Sequence, residues 1–336
     1  MWRSGRRRAA FASALLVVLA ACAAPGPVTD AATPTPAPAL APEPAPAPES
    51  APEPAPAPAP APAPEPAPAP APEPAPEPEA APTGAELVIR VLDVGQGDAL
   101  LLTHPDLTML IDTGRYDRDD VPGLLRTAGV ERLDLLVVTH PHADHVGQFD
   151  RVMAAFPVDE VWWSGASATS ATFGRALDAL ERSTARYAEP RSGATTTVGP
   201  LGVEILHPGD GDPLDDLNDA SIALRLTYGD FRMVTTGDAE RVSEARMVGR
   251  HRDRLAADVL RLGHHGSSTS TTAEFLDAVD PAVAIYSAGL GNRYGHPHDE
   301  VLARVRDRGV TLFGTDVHGT VTIVTDGSTF EVRTQR

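Results

Sequence analysis

The 336-residue chain has one cysteine, Cys22. A lone cysteine excludes an intramolecular disulfide and any zinc site built from several thiolates. The apolar run at residues 11–21 is too short to span a membrane, which takes about 20 such residues. A basic surplus is also missing. The formal net charge is −18, and residues 86–336 carry 24 basic against 38 acidic residues, a net −14. A body this acidic lacks the footprint of a general nucleic-acid binder. The Gly-rich stretch "LDVGQGDA" has neither the glycine spacing nor the lysine of a phosphate loop.

What is present falls into three parts. Residues 1–22 have the layout of an export signal: Arg3, Arg6, Arg7 and Arg8, a short apolar run, then Leu19-Ala20-Ala21-Cys22. This end resembles a bacterial lipoprotein signal. That resemblance makes Cys22 the lipidated first residue of a mature protein anchored to the cell envelope; the alternative is an ordinary secretory signal and a secreted protein. Residues 23–85 are almost all Pro, Ala and Glu, with 24 of the 34 prolines between residues 25 and 83. Proline fixes φ and lacks a backbone donor. The stretch therefore reads as an extended disordered spacer, on the order of 150 Å if fully drawn out at ~3.1 Å per residue. Residues 86–336 have ordinary globular composition and all 11 histidines.

In that body, apolar and β-branched content predicts strands at 87–94, 99–103, 109–111, 133–139, 160–163, 203–206, 221–227, 231–235, 259–262, 282–287, 310–313, 321–325 and 330–332. Helical periodicity predicts 170–182, 240–250, 272–279 and 298–308. "LDLLVVT" is apolar throughout most of its length, so both faces of that strand should be covered. An α/β sandwich with helices outside two sheets fits this order.

The dense feature is "THPHADHVG", which sets His140, His142, Asp144 and His145 directly after an apolar strand. In a loop, residues two apart can converge on one metal while those four and five along reach a second. Imidazole and carboxylate donors without thiolate suit Zn, Mn or Fe. Other candidates also follow apolar strands: Asp93 in "LDVGQGDA", Asp112 in "LIDTG", Asp238 in "MVTTGDAE", and His264 and His265 in "LRLGHHGSS". "NRYGHPH" adds His296 and His298. Strand carboxyl ends are where sites assemble in layered α/β folds.

"THPHADHVG", "TGDAE" and "GHHGS" resemble the metallo-β-lactamase superfamily. With "DVGQGDA", "NDASIALRL" and "NRYGHPH", the set is similar to the hydrolase domain of ComEC-type competence proteins over about residues 86–334. The resemblance implies an αββα four-layer sandwich with two divalent metal ions, Zn or Mn. By it, His140 and His142 hold one metal; Asp144, His145 and one of His264 or His265 hold the other, with His264 favoured; Asp238 bridges. Asp144 and His296 are the implied catalytic groups, His296 contacting a phosphate or protonating a leaving group. Asp93 and Asp112 are implied supports. The sequence departs from the family where another histidine is common, some 20 residues before the bridging Asp. Asn218 and Asp219 stand there, so either oxygen ligation completes the first site or His207 swings in. A second departure is Gln148, in place of a common glycine, expected to alter only a turn.

These features imply a metal-dependent phosphodiesterase or nuclease. The acidic body favours a short or single-stranded substrate over a long duplex. A lactone, ester or lactam hydrolase uses the same chemistry, and a catalytically weak DNA-binding module in DNA uptake is the third reading.

Overall fold

The computed structural model describes residues 85–118 and 120–336. The expected export signal with Cys22, and the Pro-rich stretch up to residue 84, lie outside the described residues. The first half runs β1 (Leu87–Val91), β2 (Leu100–His104), β3 (Leu107–Ile111), α1 (Val121–Thr127), β4 (Leu135–Val138), α2 (Phe149–Ala155), β5 (Glu160–Trp163), α3 (Ala171–Arg182) and β6 (Arg186–Ala188). The second runs β7 (Thr195–Val198), β8 (Leu201–His207), β9 (Ala223–Tyr228), β10 (Phe231–Thr235), α4 (Arg241–His251), β11 (Val259–Arg261), α5 (Ala273–Val279), β12 (Val283–Tyr286), α6 (Asp299–Arg306) and β13 (Thr311–Gly314). A short α7 (Thr315–His318) leads to β14 (Val321–Thr325) and β15 (Phe330–Thr334).

The strands form two sheets, ordered β15-β14-β1-β2-β3-β4-β5-β6 and β13-β12-β11-β10-β9-β8-β7. Each sheet is antiparallel on one side and parallel on the other. β3 to β6 run parallel, as do β10 to β13. Parallel neighbours need crossovers, and helices supply most of them, covering the outer faces.

Side-chain alternation sorts the strands into three cores. Leu135 and Val137 of β4 face the opposite sheet with Ile89, Leu102, Met109, Leu224 and Met233. Leu136 and Val138 face outward onto Leu125, Phe149 and Phe173 of α1 to α3. On the other sheet, Val234 and Leu260 pack against Met247, Phe275 and Val301 of α4 to α6. Each buried Leu, Val or Ile contributes about 1.5–3 kcal/mol. This is the expected αββα sandwich. The all-apolar "LLVV" of β4 is covered on both faces, as its composition requires.

All thirteen expected strands are found, some shorter; the first ends at Val91 because the chain turns at Gly95 and Gly97. The added strands β6 and β7 are short and largely exposed, so no apolar pattern marks them. Among the described residues, no helix is long and apolar enough to cross a membrane.

Candidate metal centre

The centre forms where the carboxyl ends of the parallel strands of both sheets meet. β3 ends on Asp112, β4 on Thr139 and His140, β10 on Gly237 and Asp238, β11 on the Gly263–Gly266 turn, and β12 on Ser287. The approach is close: a Cβ on Gly237 would lie 2.9 Å from Thr139 Cβ, and Gly237 has φ +54. His264 and His265 sit consecutively in the left-handed region, at φ 48 and 57. That conformation costs a non-glycine residue roughly 1–2 kcal/mol. The turn uses it to aim both rings inward.

Three buried histidines are oriented in the same way. His145 Nδ1 donates to Asp112 Oδ2 at 2.8 Å. His265 Nδ1 donates to the Ser287 carbonyl at 2.9 Å. Thr139 Oγ1 gives its proton to Asp112 Oδ2 at 2.7 Å, leaving it to accept from His140 Nδ1 at 3.1 Å. All three Nε2 atoms then face Asp238. Asp238 Oδ2 lies 3.1 Å from His145 Nε2, 3.6 Å from His265 Nε2, 3.7 Å from His264 Nε2 and 3.8 Å from His140 Nε2. His142 Nδ1 stands 2.9 Å from His140 Nε2, and Asp144 Oδ2 is 3.5 Å from His265 Nε2.

The donor set fits divalent metal. His145 Nε2, His265 Nε2 and Asp238 Oδ1 are buried without a well-formed hydrogen bond. Buried polar atoms left in this state are costly, and a cation among them removes the cost. Four groups have all their donor atoms within 4.8 Å of one another: His140, His145 and Asp238; Asp144, His145 and His265; and two that include Asp98, one with Asp112 and His145, the other with Asp238 and His265. No sulfur is involved, and a carboxylate behind His145 fixes that ring as metal sites commonly require.

Electrostatics follow from burial and crowding. Burial holds His140 well below the usual histidine range, and holds His142 below it too. Burial also opposes charge on His145, but Asp238 and Asp112 outweigh it and raise that ring well above the ordinary value. For Asp238, burial is overcome by His145 and His265, and its carboxyl stays well below the carboxylate range. Burial pushes the Asp112 carboxyl up.

The expected residues divide into those that converge and those that do not. His140, His142, Asp144, His145 and Asp238 come together, and Asp112 lies within hydrogen-bond distance of His145. It is His265, not His264, that clusters with Asp144 and His145, which reverses the order expected from the sequence. His264 is partly exposed, with Nδ1 3.2 Å from Glu240 Oε1. His207 does not swing in: it is buried, with Nε2 2.7 Å from the Asp219 carbonyl. Asp219 Oδ1 accepts from Glu240 N, the residue before α4, at 3.0 Å. Asn218 donates to Glu240 Oε1 at 3.1 Å and lies against His142. Asp93 pairs with Arg336 at 2.6 Å and joins none of the groups that bring metal-donor atoms together. His296 stacks over His265, ring centroids 6.1 Å apart. Gln148 does more than alter a turn. Fully buried, it accepts from Val121 N at 3.0 Å and donates to the Arg115 carbonyl at 3.1 Å, fastening the loop after β3.

Arg261, with Asp98, was not anticipated. Arg261 is 2% exposed. It is paired with Asp98 of the β1–β2 loop and donates to the Gly237 carbonyl at 3.0 Å. The signal was available: a lone arginine inside the apolar "VLRL" must find a buried partner.

A shared edge of two sheets, closed by a carboxylate inside a ring of imidazoles, defines a metal-binding hydrolase architecture. The sequence pattern of the metallo-β-lactamase superfamily matches residues 92–289, and the chain belongs to that superfamily of metal-dependent hydrolases. It is 34% identical over 238 residues to "Competence protein ComA" of Neisseria gonorrhoeae, covering 70% of this chain and 32% of that protein. It is 29% identical over 253 residues to "ComE operon protein 3" of Bacillus subtilis, covering 69% and 32%. The chain thus spans about a third of the length of these curated relatives. Among solved structures it is similar to the metallo-β-lactamase fold protein YhfI of Bacillus subtilis, with TM-score 0.45 and 15% identity over 68% of this chain and 95% of that one.

Proposed function

We propose that this chain hydrolyses phosphodiesters, nucleic acid among them, using two divalent cations held between the sheet edges. The observation that carries this is Asp238, whose Oδ2 has four imidazole Nε2 atoms within 3.1–3.8 Å. His140 and His142 would hold one cation; Asp144, His145 and His265 the other; Asp238 both. Zn and Mn suit these donors, and the Asn218 oxygen beside His142 favours Mn. When bound, such a pair supplies an activated water and polarises a phosphoryl oxygen. Asp112, Thr139 and Ser287 keep the rings in the tautomer that offers Nε2. Asp144, at the partly open side, orients the attacking water. Burial, with His265 and His264 nearby, lowers His296 to about 4. It is therefore neutral at ordinary pH and serves a phosphoryl oxygen as an N–H donor.

Phosphodiesters are favoured over small esters by the kinship with competence proteins. With Cys22 lipidated and the Pro-rich stretch as a stalk, the hydrolase would act at the cell envelope, on DNA handled during uptake. Bis-p-nitrophenyl phosphate and single-stranded DNA, supplied with Mn²⁺ or Zn²⁺, test this. Turnover is expected on both, with loss in His142→Ala and on chelation. Metal-loaded protein that turns over neither removes the reading, and faster turnover of a lactone or β-lactam replaces it with the small-molecule one.

A further inference from the structure

Beside the metal centre lies a cleft of about 390 Å³ whose lining contrasts with the acidic body. Four arginines reach it from three parts of the chain: Arg115 and Arg118 from the loop after β3, Arg293 from the loop before α6, and Arg336 after β15. Gly95 forms part of the floor at φ +71. A Cβ there would meet Arg118 Nη1 at 2.8 Å, so the bare backbone lets that side chain lie across it.

Three of the arginines are paired, Arg336 with Asp93, which also lines the cleft, at 2.6 Å. Arg115 pairs with Asp117 and Arg118 with Asp120, all substantially solvent-accessible. Arg115 meets Asp117 in a two-pronged contact at 2.7 and 2.6 Å; solvent-accessible pairs of this kind are exchangeable, and a phosphate offers arginine an equivalent bidentate partner. Arg293 has no carboxylate partner among the described residues. Its guanidinium lies 4.9 Å from the ring centroid of Tyr294. Tyr294 is 45% exposed and stacks on His296, centroids 5.7 Å apart at 24°. His296 in turn stacks over His265 at 26°. A staircase of near-parallel planar groups thus descends from the cleft to the metal cluster. Tyr116, 46% exposed, comes from the same loop as Arg115 and Arg118.

We propose that this cleft is the track for a single-stranded nucleic acid. Phosphates bind Arg115, Arg118 and Arg293, and a base stacks on Tyr294. The neighbouring phosphodiester is thereby presented to the centre beside His296. The proposal rests on the phosphodiesterase reading and names its substrate class. An exposed ring flanked by arginine suits an unpaired base; a duplex keeps its bases stacked and depends on a positive charge excess that this protein lacks.

The test is anisotropy of a fluorescein-labelled, nuclease-resistant phosphorothioate decathymidylate bound to the full-length, metal-loaded protein. Tyr294→Ala should weaken binding about tenfold, and Tyr294→Phe should keep most of it. Arg293→Ala should weaken binding and reduce the slope of log K against log salt by about 0.7. A duplex of the same length should bind at least about tenfold more weakly than the single strand. Tyr294→Ala binding as tightly as the wild type, or a duplex binding as tightly as the single strand, overturns the proposal. Binding is scored without turnover. A protein that cleaves bis-p-nitrophenyl phosphate but ignores Tyr294 sinks the track alone. One that binds through Tyr294 yet cleaves no diester sinks the hydrolase reading alone.

Discussion

The two sheets reach the same centre by different routes. The eight-stranded sheet brings His140, His142, Asp144 and His145 in one loop after β4, with Asp112, after the adjacent β3, accepting from His145. The seven-stranded sheet delivers single residues from neighbouring strand ends, Asp238 after β10 and His265 after β11. The first route is fixed by local chain geometry. The second exists only once β10 and β11 pair, so it needs a device that locks one sheet's edge to the other. Arg261 is that device: from β11 it crosses to Asp98 in the β1–β2 loop on the first sheet's side and holds the carbonyl that precedes Asp238.

The comparison breaks most severely at that strut. Arg261→Met leaves the Asp98 carboxylate buried without its cation, and an orphaned buried charge costs about 3–5 kcal/mol. Urea unfolding of the full chain should show a loss of that size. Part of it should return in the double variant Arg261→Met with Asp98→Asn, because the second change removes the unpaired charge. A single variant within about 1 kcal/mol of the wild type would show that the edges lock without the pair.

The next effect sharpens the second route by asking which histidine it delivers. His265 is buried, with Nδ1 tied to Ser287, while His264 is partly open and faces Glu240. Losing a direct ligand should cost more than the roughly 10–100-fold typical of a supporting partner. His265→Ala should therefore lower the affinity for the second metal by more than about 100-fold, and His264→Ala by clearly less. Metal content after dialysis against a graded chelator reads both, and equal losses would undo the distinction.

The same contrast explains what the sequence disclosed. The His140–His145 cluster and the all-apolar β4 were legible because each depends on residues a few positions apart. The choice between His264 and His265 was not. Both follow an apolar strand, and only the two consecutive left-handed residues decide which ring faces Asp144. His207 looked available as a replacement ligand, but Asp219 and Ser243, distant in sequence, hold its Nε2. β6 and β7 escaped because exposed strands have no apolar face to reveal. The short α1 and α2 were not anticipated either, although α5, no longer than they are, was.

The smallest expected effect tests the position where the family commonly has another histidine. Asn218 lies against His142 and is tethered to Glu240, on the side where the proposed first ion would be held. An amide oxygen is a weaker and harder donor than imidazole, so the first site should discriminate little in favour of zinc. Asn218→His offers a nitrogen donor at the same place. The Zn²⁺ affinity of the first site should rise about tenfold, or about 1.4 kcal/mol, with Mn²⁺ affinity rising less. Competition between the two ions for the full-length protein measures the ratio. An unchanged ratio would mean that Asn218 only braces Glu240 and that His140, His142 and Asp238 hold the first ion without it. The asymmetry between the sheets would then be greater, with the first route complete in its own loop except for the shared carboxylate.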